Sequence, residues 1–360
     1  MKRNFGIFSA MLLGGAFVAQ ASEGVNVGGY VDGQYNYASI KNYRGTVGNG
    51  GEVMSNSFRF AEAAIWATKK AGGAEGVLDL DIKGPAQAYT RGFQTGNTGT
   101  AWTLGGSNSQ AYVAMSYDNG FTWRLGQFDS LYVYEPVKAT DRHYAHGGIL
   151  AAQAPTSHVG WHGKYEFSDM MALNIVIANP HDVGVMKNGN LNYGLKLNTK
   201  FDSLAFNLGA LFKTGDQYAT GAKKQLGYFV DWDVGSTMGS LEWALYGYVA
   251  KGDVKGAKTD FGAGLNTHYA MSEMTHLGLR FEYDKDGTKN TAAITSATTL
   301  TGANATSDTS SWAVTVGPQF HMTDAFTTKL DYTYTAIKYE GSGAKDHAGH
   351  GANLSGVYKF

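Results

Sequence analysis

From residue 24 onward the chain alternates, with every second residue apolar over stretches of roughly ten. In the first stretch Val25, Val27, Gly29, Val31, Gly33, Tyr35 and Tyr37 fall on one face, while Asn26, Asp32, Gln34 and Asn36 fall on the other. Side chains of a β-strand point alternately to its two sides, so such a stretch is a strand with one face toward an apolar medium and one toward water. Sixteen stretches read this way, near 24–38, 56–68, 74–83, 110–118, 121–128, 156–167, 171–179, 190–201, 204–214, 224–234, 239–251, 259–270, 274–285, 310–321, 326–338 and 350–360. In the sixth, Val159, Trp161, Tyr165 and Phe167 oppose His158, His162, Lys164 and Glu166; in the thirteenth, Leu277, Leu279, Phe281 and Tyr283 oppose His276, Arg280, Glu282 and Asp284. One charge breaks the rule: Glu62 shares the phase of Phe58, Phe60, Ala64 and Trp66. A β-bulge that shifts the phase there is expected, because an acid facing lipid is unfavourable.

The links between stretches alternate in length. Short ones carry turn chemistry: Asp118-Asn119-Gly120, Ser168-Asp169-Met170, Asp202-Ser203, Met271-Ser272-Glu273 and Met322-Thr323-Asp324. The longest fall near 39–55, 84–109, 129–154 and 286–309. Aromatic residues in the apolar phase, among them Tyr117, Phe121, Phe167, Phe201, Tyr269, Phe320, Phe326 and Phe360, lie beside the short turns. Rings gathered at one end suit a membrane boundary better than the core of a soluble sandwich.

Composition narrows the class. The chain opens with Lys2 and Arg3, an apolar run, and Ala19-Gln20-Ala21, the pattern of a signal peptide spanning 1–21 and cleaved after Ala21, which leaves a barrel over 22–360. The 29 Lys and Arg, less Lys2 and Arg3, leave about 27 against 30 Asp and Glu, so neither nucleic acid nor an anionic surface is favoured. Absence of cysteine excludes disulfide scaffolds, zinc-thiolate sites and cysteine nucleophiles. With 49 glycines, 22 tyrosines, 18 phenylalanines and 7 tryptophans, a mean hydropathy below zero and no later run of ~18 apolar residues, the chain fits an all-β, antiparallel transmembrane β-barrel of about sixteen strands, with short periplasmic turns and longer outer loops.

Four segments carry a resemblance: Gly28-Gly29-Tyr30-Val31-Asp32, Leu279-Arg280-Phe281-Glu282-Tyr283, Gly317-Pro318-Gln319-Phe320-His321-Met322-Thr323-Asp324 and the terminal Val357-Tyr358-Lys359-Phe360. With them the chain resembles the Gram-negative outer-membrane porins, and most the OmpL-like β-barrel porin family. The resemblance implies residence among outer-membrane lipid, recognition of Phe360 by the barrel-assembly machinery, and the homotrimer common in such porins, although no apolar strip here marks an interface. It also implies passage of small hydrophilic solutes and ions. The third outer loop, 129–154, occupies the position that folds into the lumen of trimeric porins, but it lacks their Pro-Glu-Phe-Gly-type motif.

Candidate chemistry is confined to the inward phase. Arg59, Arg124, Lys164, Lys196, Lys213 and Arg280 point to the lumen, as do Asp79, Asp81, Glu166, Asp231, Glu242, Glu282 and Asp331. Two readings stay open: a network in which these charges satisfy one another, or a field that screens solutes. For the second, loop acids Asp129, Glu135 and Asp141 are expected to face Arg59, Arg124 and Lys164, with Lys196 and Arg280 completing the set of constriction residues. His143, His146, His158 and His162, and the group Asp346, His347 and His350, are read as solvated histidines rather than metal ligands. Asp284-Lys285-Asp286-Gly287 lacks the remaining positions of a calcium loop, and Gly262-Ala263-Gly264 is not a nucleotide fingerprint but glycine on the lumen face. Nothing marks a catalytic triad, and no cofactor is expected. The alternative to a channel is a non-conducting surface barrel serving as an adhesin, receptor or structural protein.

Overall fold

The computed structural model describes residues 24–43, 51–83, 87–90, 93–97, 103–104, 109–132, 134–136, 138–151, 154–155, 157–179, 191–213, 226–252, 258–286, 308–340 and 346–360; the leader read at 1–21 lies outside them. Sixteen strands form the wall: β1 (Val25–Tyr43), β2 (Gly51–Ala71), β3 (Ala74–Lys83), β4 (Gln110–Ser116), β5 (Phe121–Asp129), β6 (Ser157–Ser168), β7 (Met171–Ala178), β8 (Asn192–Phe201), β9 (Leu204–Lys213), β10 (Gly227–Met238), β11 (Leu241–Lys251), β12 (Thr259–Ala270), β13 (Thr275–Asp286), β14 (Asp308–His321), β15 (Phe326–Glu340) and β16 (His347–Lys359). Each pairs antiparallel with its neighbour, and β1 pairs with β16 from Tyr30↔Lys359 to Lys41↔Ala348, so the sheet closes on itself. Closure removes the free edges that a membrane would not tolerate. Thr103–Leu104 adds a short pairing onto β3, and Gln87–Thr90 with Phe93–Asn97 forms a separate hairpin. No helix occurs among the described residues.

The expected bulge is present. Asp32 pairs with Glu62 but Gly33 with Phe60, leaving Ala61 as the extra residue. It turns Glu62 into the lumen, and Ala64 and Trp66 with it, so these two do not share the outer face of Phe58 as the unbroken phase predicted. A second difference lies between β10 and β11. Alternation ended one strand at 234 and began the next at 239, whereas the ladder continues from Ser236↔Trp243 to Met238↔Leu241 around a two-residue turn. Gly239 carries the positive φ of 61° that this turn requires.

The outer face is a band of exposed aliphatic and aromatic side chains, including Leu195, Leu208, Leu245, Leu265, Leu279, Phe281, Val316, Leu330 and Leu354. Tyr117, Phe167, Phe201 and Tyr269 are exposed beside the short turns, where amphipathic rings favour the headgroup level. The buried core sits inside the barrel. Each of its clusters includes residues of the link between β5 and β6: Tyr132, Ile149 and Leu150 pack on Leu211, Phe229, Tyr246 and Tyr248; Ala139 packs on Tyr30, Ala64 and Val357; Leu131 packs on Phe128, Val176 and Ala178.

Candidate functional site

The third outer loop crosses the lumen, and what holds it there is mostly polar. A backbone outside regular structure carries unpaired amides and carbonyls that must find partners when buried, and the lumen face of the wall supplies them. Glu282 of β13 accepts from the amides of Ile149 at 2.7 Å and Leu150 at 3.4 Å, and from the Tyr246 hydroxyl at 2.9 Å. Asp331 of β15 accepts from the Ala145 amide at 2.7 Å and contacts His146 Nδ1 at 3.0 Å. Glu62 of β2 accepts from the Ala139 amide at 2.8 Å and from Arg142 at 3.2 Å. The wall's cations take the loop's carbonyls: Lys196 Nζ donates to Leu131 O at 2.5 Å, and Lys329 Nζ to Ala139 O at 2.5 Å and to Arg142 O. Gln34 of β1 donates to Ala145 O at 3.0 Å, and Tyr144 donates to Asn266 of β12 at 2.9 Å.

Charge pairs tighten the seat. Arg280, 1% exposed, pairs with Glu135 of the loop and stands 3.6 Å from Glu282. Glu135 in turn accepts from the Gly148 amide at 2.5 Å. Lys138 pairs with Asp79 of β3, and its ammonium lies 5.4 Å from the ring of Trp66, which the bulge brought inward. Glycines on the wall leave room for the loop's side chains. A Cβ on Gly194 or Gly209 would collide with Tyr132, one on Gly278 with His143 and Tyr144, and one on Gly262 with Leu150. The reading of Gly262 as a position where no side chain is wanted therefore acquires a cause, whereas a Cβ on Gly264 would meet Tyr246 of the wall itself.

The eight residues read as constriction candidates are distributed differently from the expected opposition of loop acids and Arg59, Arg124 and Lys164. Glu135 meets Arg280. Asp129 accepts from Gln110 at 3.0 Å, and Asp141 from Thr140 at 2.9 Å. Arg124 lies over Phe128, its guanidinium carbon 4.4 Å from the ring centroid, with the Tyr112 ring at 5.6 Å. Lys164 pairs with Glu166 on its own strand at 2.5 Å, and Lys196 with Asp231 at 2.8 Å. Arg59 stands opposite Gln34 in the β1–β2 ladder; its side chain lies outside the described residues. Alternation could not foresee this arrangement, because it fixes which face a side chain occupies but not where the loop's backbone passes. Lys329, Glu62 and His146 were accordingly missed as anchors.

The histidines divide. His158 sits 3.1 Å from the Ser130 hydroxyl, and His162 3.0 Å from Asn174 Oδ1. His350 lies between Tyr37 and Tyr332, 6.1 Å from each, and the side chain of His347 is outside the described residues. His143, on the loop, stacks on His268 of β12 with centroids 4.0 Å apart and faces the Gly317 carbonyl at 3.4 Å. Burial pushes its pKa down to about 4, against the smaller opposing pull of that carbonyl and of Asp331, with Lys329 and His276 adding to the depression. A released loop would have His143 near its ordinary ~6.5 and so bind more protons between those values. The seat's stability from this group is therefore present above about pH 6.5 and lost as pH falls toward about 4. Acidification across that window should raise current noise in planar bilayers, and His143→Phe should flatten the response; a wild-type trace that does not change with pH counts against it.

The match to known proteins agrees with this geometry. Residues 24–356 match the family described as "Putative beta-barrel porin-2, OmpL-like". No curated protein sequence matches the chain. Among solved structures, the outer-membrane channel DcaP of Acinetobacter baumannii is similar at a TM-score of 0.62 and 13% identity, over 93% of this chain and 97% of that one. The anion-selective porin of Comamonas acidovorans gives 0.59 and 13%, over 93% and 99%. OmpT of Vibrio cholerae in its trimer form gives 0.56 and 13%, over 94% and 100%. At that identity the structures speak for the fold alone, whereas the family match spans almost the whole wall: the chain belongs to the OmpL-like β-barrel porins of the Gram-negative outer membrane.

Proposed function

We propose that this porin passes small hydrophilic solutes and ions by passive diffusion, and that its charge preference is set below the loop rather than at it. The observation that carries this reading is the cancellation of charge across the seat. Arg280 with Glu135 and Glu282, Lys196 with Asp231, Lys138 with Asp79 and Arg142 with Glu62 set four cations against five carboxylates in close contact, so most of their field is cancelled where the loop crosses. A solute feels most strongly the charges that water still reaches. At the short-turn end of the lumen such charges are Lys164 and Glu166, with side chains 38% and 53% exposed, together with Lys200 and Glu242. Lys164, Glu166 and Lys200 share one recess with Asn198 and Asn207.

Lys164→Gln combined with Lys200→Gln should shift the reversal potential of a salt gradient toward cation preference, by tens of percent in permeability ratio rather than by orders of magnitude, because both groups are solvated. Arg124→Gln should move it less, its guanidinium being sequestered over Phe128. An unchanged potential in the double variant removes the recess from the account. The same recordings test assembly: we propose a homotrimer, supported by the trimeric form of the similar OmpT structure, and a homotrimer closes in three equal steps. Absence of any steps would favour a surface barrel that binds a partner without conducting.

A further inference from the structure

We propose that His276 and His321 form a two-imidazole site for a late first-row divalent cation, copper(II) foremost, on the lumen side of the short-turn rim. His276 is the second residue of β13 and His321 the last of β14, on either side of short turns. In the ladder His276 pairs with Gln319 and Thr275 with Phe320, which makes the two histidines diagonal neighbours on the inner face. Their ring centroids are 5.0 Å apart at 66°, and both rings are half-buried, open to the water of the mouth.

The available nitrogens favour ligation. His321 Nδ1 lies 3.3 Å from the Thr327 hydroxyl on β15, which leaves Nε2 as the nitrogen available to a cation; a ring fixed through its other nitrogen is the usual support of a metal-bound imidazole. His276 makes a ring contact with His321 and no hydrogen bond among the described residues. His268 is the diagonal neighbour of His276 across the β12–β13 ladder, and its buried Nε2 has no hydrogen-bond partner. Water carried by a cation at the pair is the kind of partner that nitrogen lacks. Among the described residues no three His, Cys, Asp or Glu converge on a single point, so the cation keeps water in its remaining positions. A neutral pair of imidazoles with no carboxylate selects borderline cations, with copper(II) ahead of nickel(II) and zinc(II), over magnesium and calcium. Lys329, paired with Gln319 one step deeper, keeps the affinity modest.

Copper(II) bound there would narrow the mouth and add positive charge to it. The test uses the purified full-length porin. In planar bilayers, submillimolar copper(II) on the turn side should reduce current by about twofold or more, magnesium should not, and a chelator should restore it. His276→Asn and His321→Asn should each abolish the block. Because the block depends on conduction, electron paramagnetic resonance of copper(II) added to the detergent-solubilised protein gives an independent reading: a two-nitrogen signal in the wild type that each variant loses. A signal unchanged in both variants, or no bound copper, overturns the site, whereas a barrel that shows the signal but passes no current overturns the porin reading and leaves the site standing.

Discussion

Replacing Arg280 by methionine is expected to release the third loop from the wall and raise single-channel conductance several-fold. Arg280 is buried between Glu135 of the loop and Glu282 of its own strand, with its guanidinium 4.4 Å from the ring of Tyr144. Without it two carboxylates remain in a dry pocket with no cation, and breaking a buried pair in this way costs about 3–5 kcal/mol. The other anchors are hydrogen bonds, many to charged groups and worth about 1.5–3 kcal/mol each, and the pairs Lys138–Asp79 and Arg142–Glu62 near the loop's middle. Those around residues 148–150 run through Glu282 and Glu135 and fail with Arg280. The loss is therefore large enough to change where the loop sits. It should not open the wall, whose strands are held by backbone ladders that do not involve the side chain. The expected result is a larger and noisier channel, protease cleavage within residues 130–156, and a barrel that still resists denaturation by detergent until heated. Removing Glu135 as well, as Glu135→Gln with Arg280→Met, takes away one of the stranded charges and should recover part of the seat, so the two effects should not add. Wild-type conductance and protection in Arg280→Met would mean that the apolar contacts of Tyr132, Ile149 and Leu150 suffice alone.

How much of this was legible in the sequence depends on what each feature is made of. Strand number and order followed from alternation, because a wall between lipid and water imposes period two on every strand whatever its partners. Glu62 was legible for the same reason: one acid in an apolar phase is costly enough to demand a bulge, and Ala61 provides it. The loop's anchors were not legible. Arg280, Glu282 and Asp331 could be assigned to the lumen, but whether they face solute or hold backbone depends on the path of residues 130–151, which carries no period. Nor does the wall charge that meets Glu135 follow from the inward list, since Arg124 and Lys164 qualify equally by phase. A signal existed in the glycines. Gly194, Gly209, Gly262 and Gly278 all fall on inward positions of β8, β9, β12 and β13, where a barrel holding only water has no need to omit a side chain. Read as a set of sockets, they locate the face against which something packs.

Those sockets support the second large effect. Gly194→Val should displace Tyr132 and unseat the first part of the loop, while leaving the strands paired. A Cβ at position 194 falls on the Tyr132 hydroxyl, and a Cβ at the neighbouring Gly209 would meet the same ring, so the ring lies directly against the wall with no gap to take up the added methyls. Tyr132 is 1% exposed and belongs to the largest apolar cluster in the lumen, so its expulsion forfeits burial worth about 1.5–3 kcal/mol and disturbs the adjacent Leu131 carbonyl that Lys196 holds. Valine is well suited to a strand, so any loss reports on the loop rather than on β8. Gly33→Val and Gly76→Val provide the control, because a Cβ at either position meets nothing within 4 Å. The expected pattern is increased conductance and loop proteolysis in Gly194→Val and wild-type behaviour in the two controls. Tyr132→Ala in the Gly194→Val background should add little further, since the ring it removes is already displaced. If all three glycine variants behave alike, the cost lies in the strands and the sockets have no role in seating the loop.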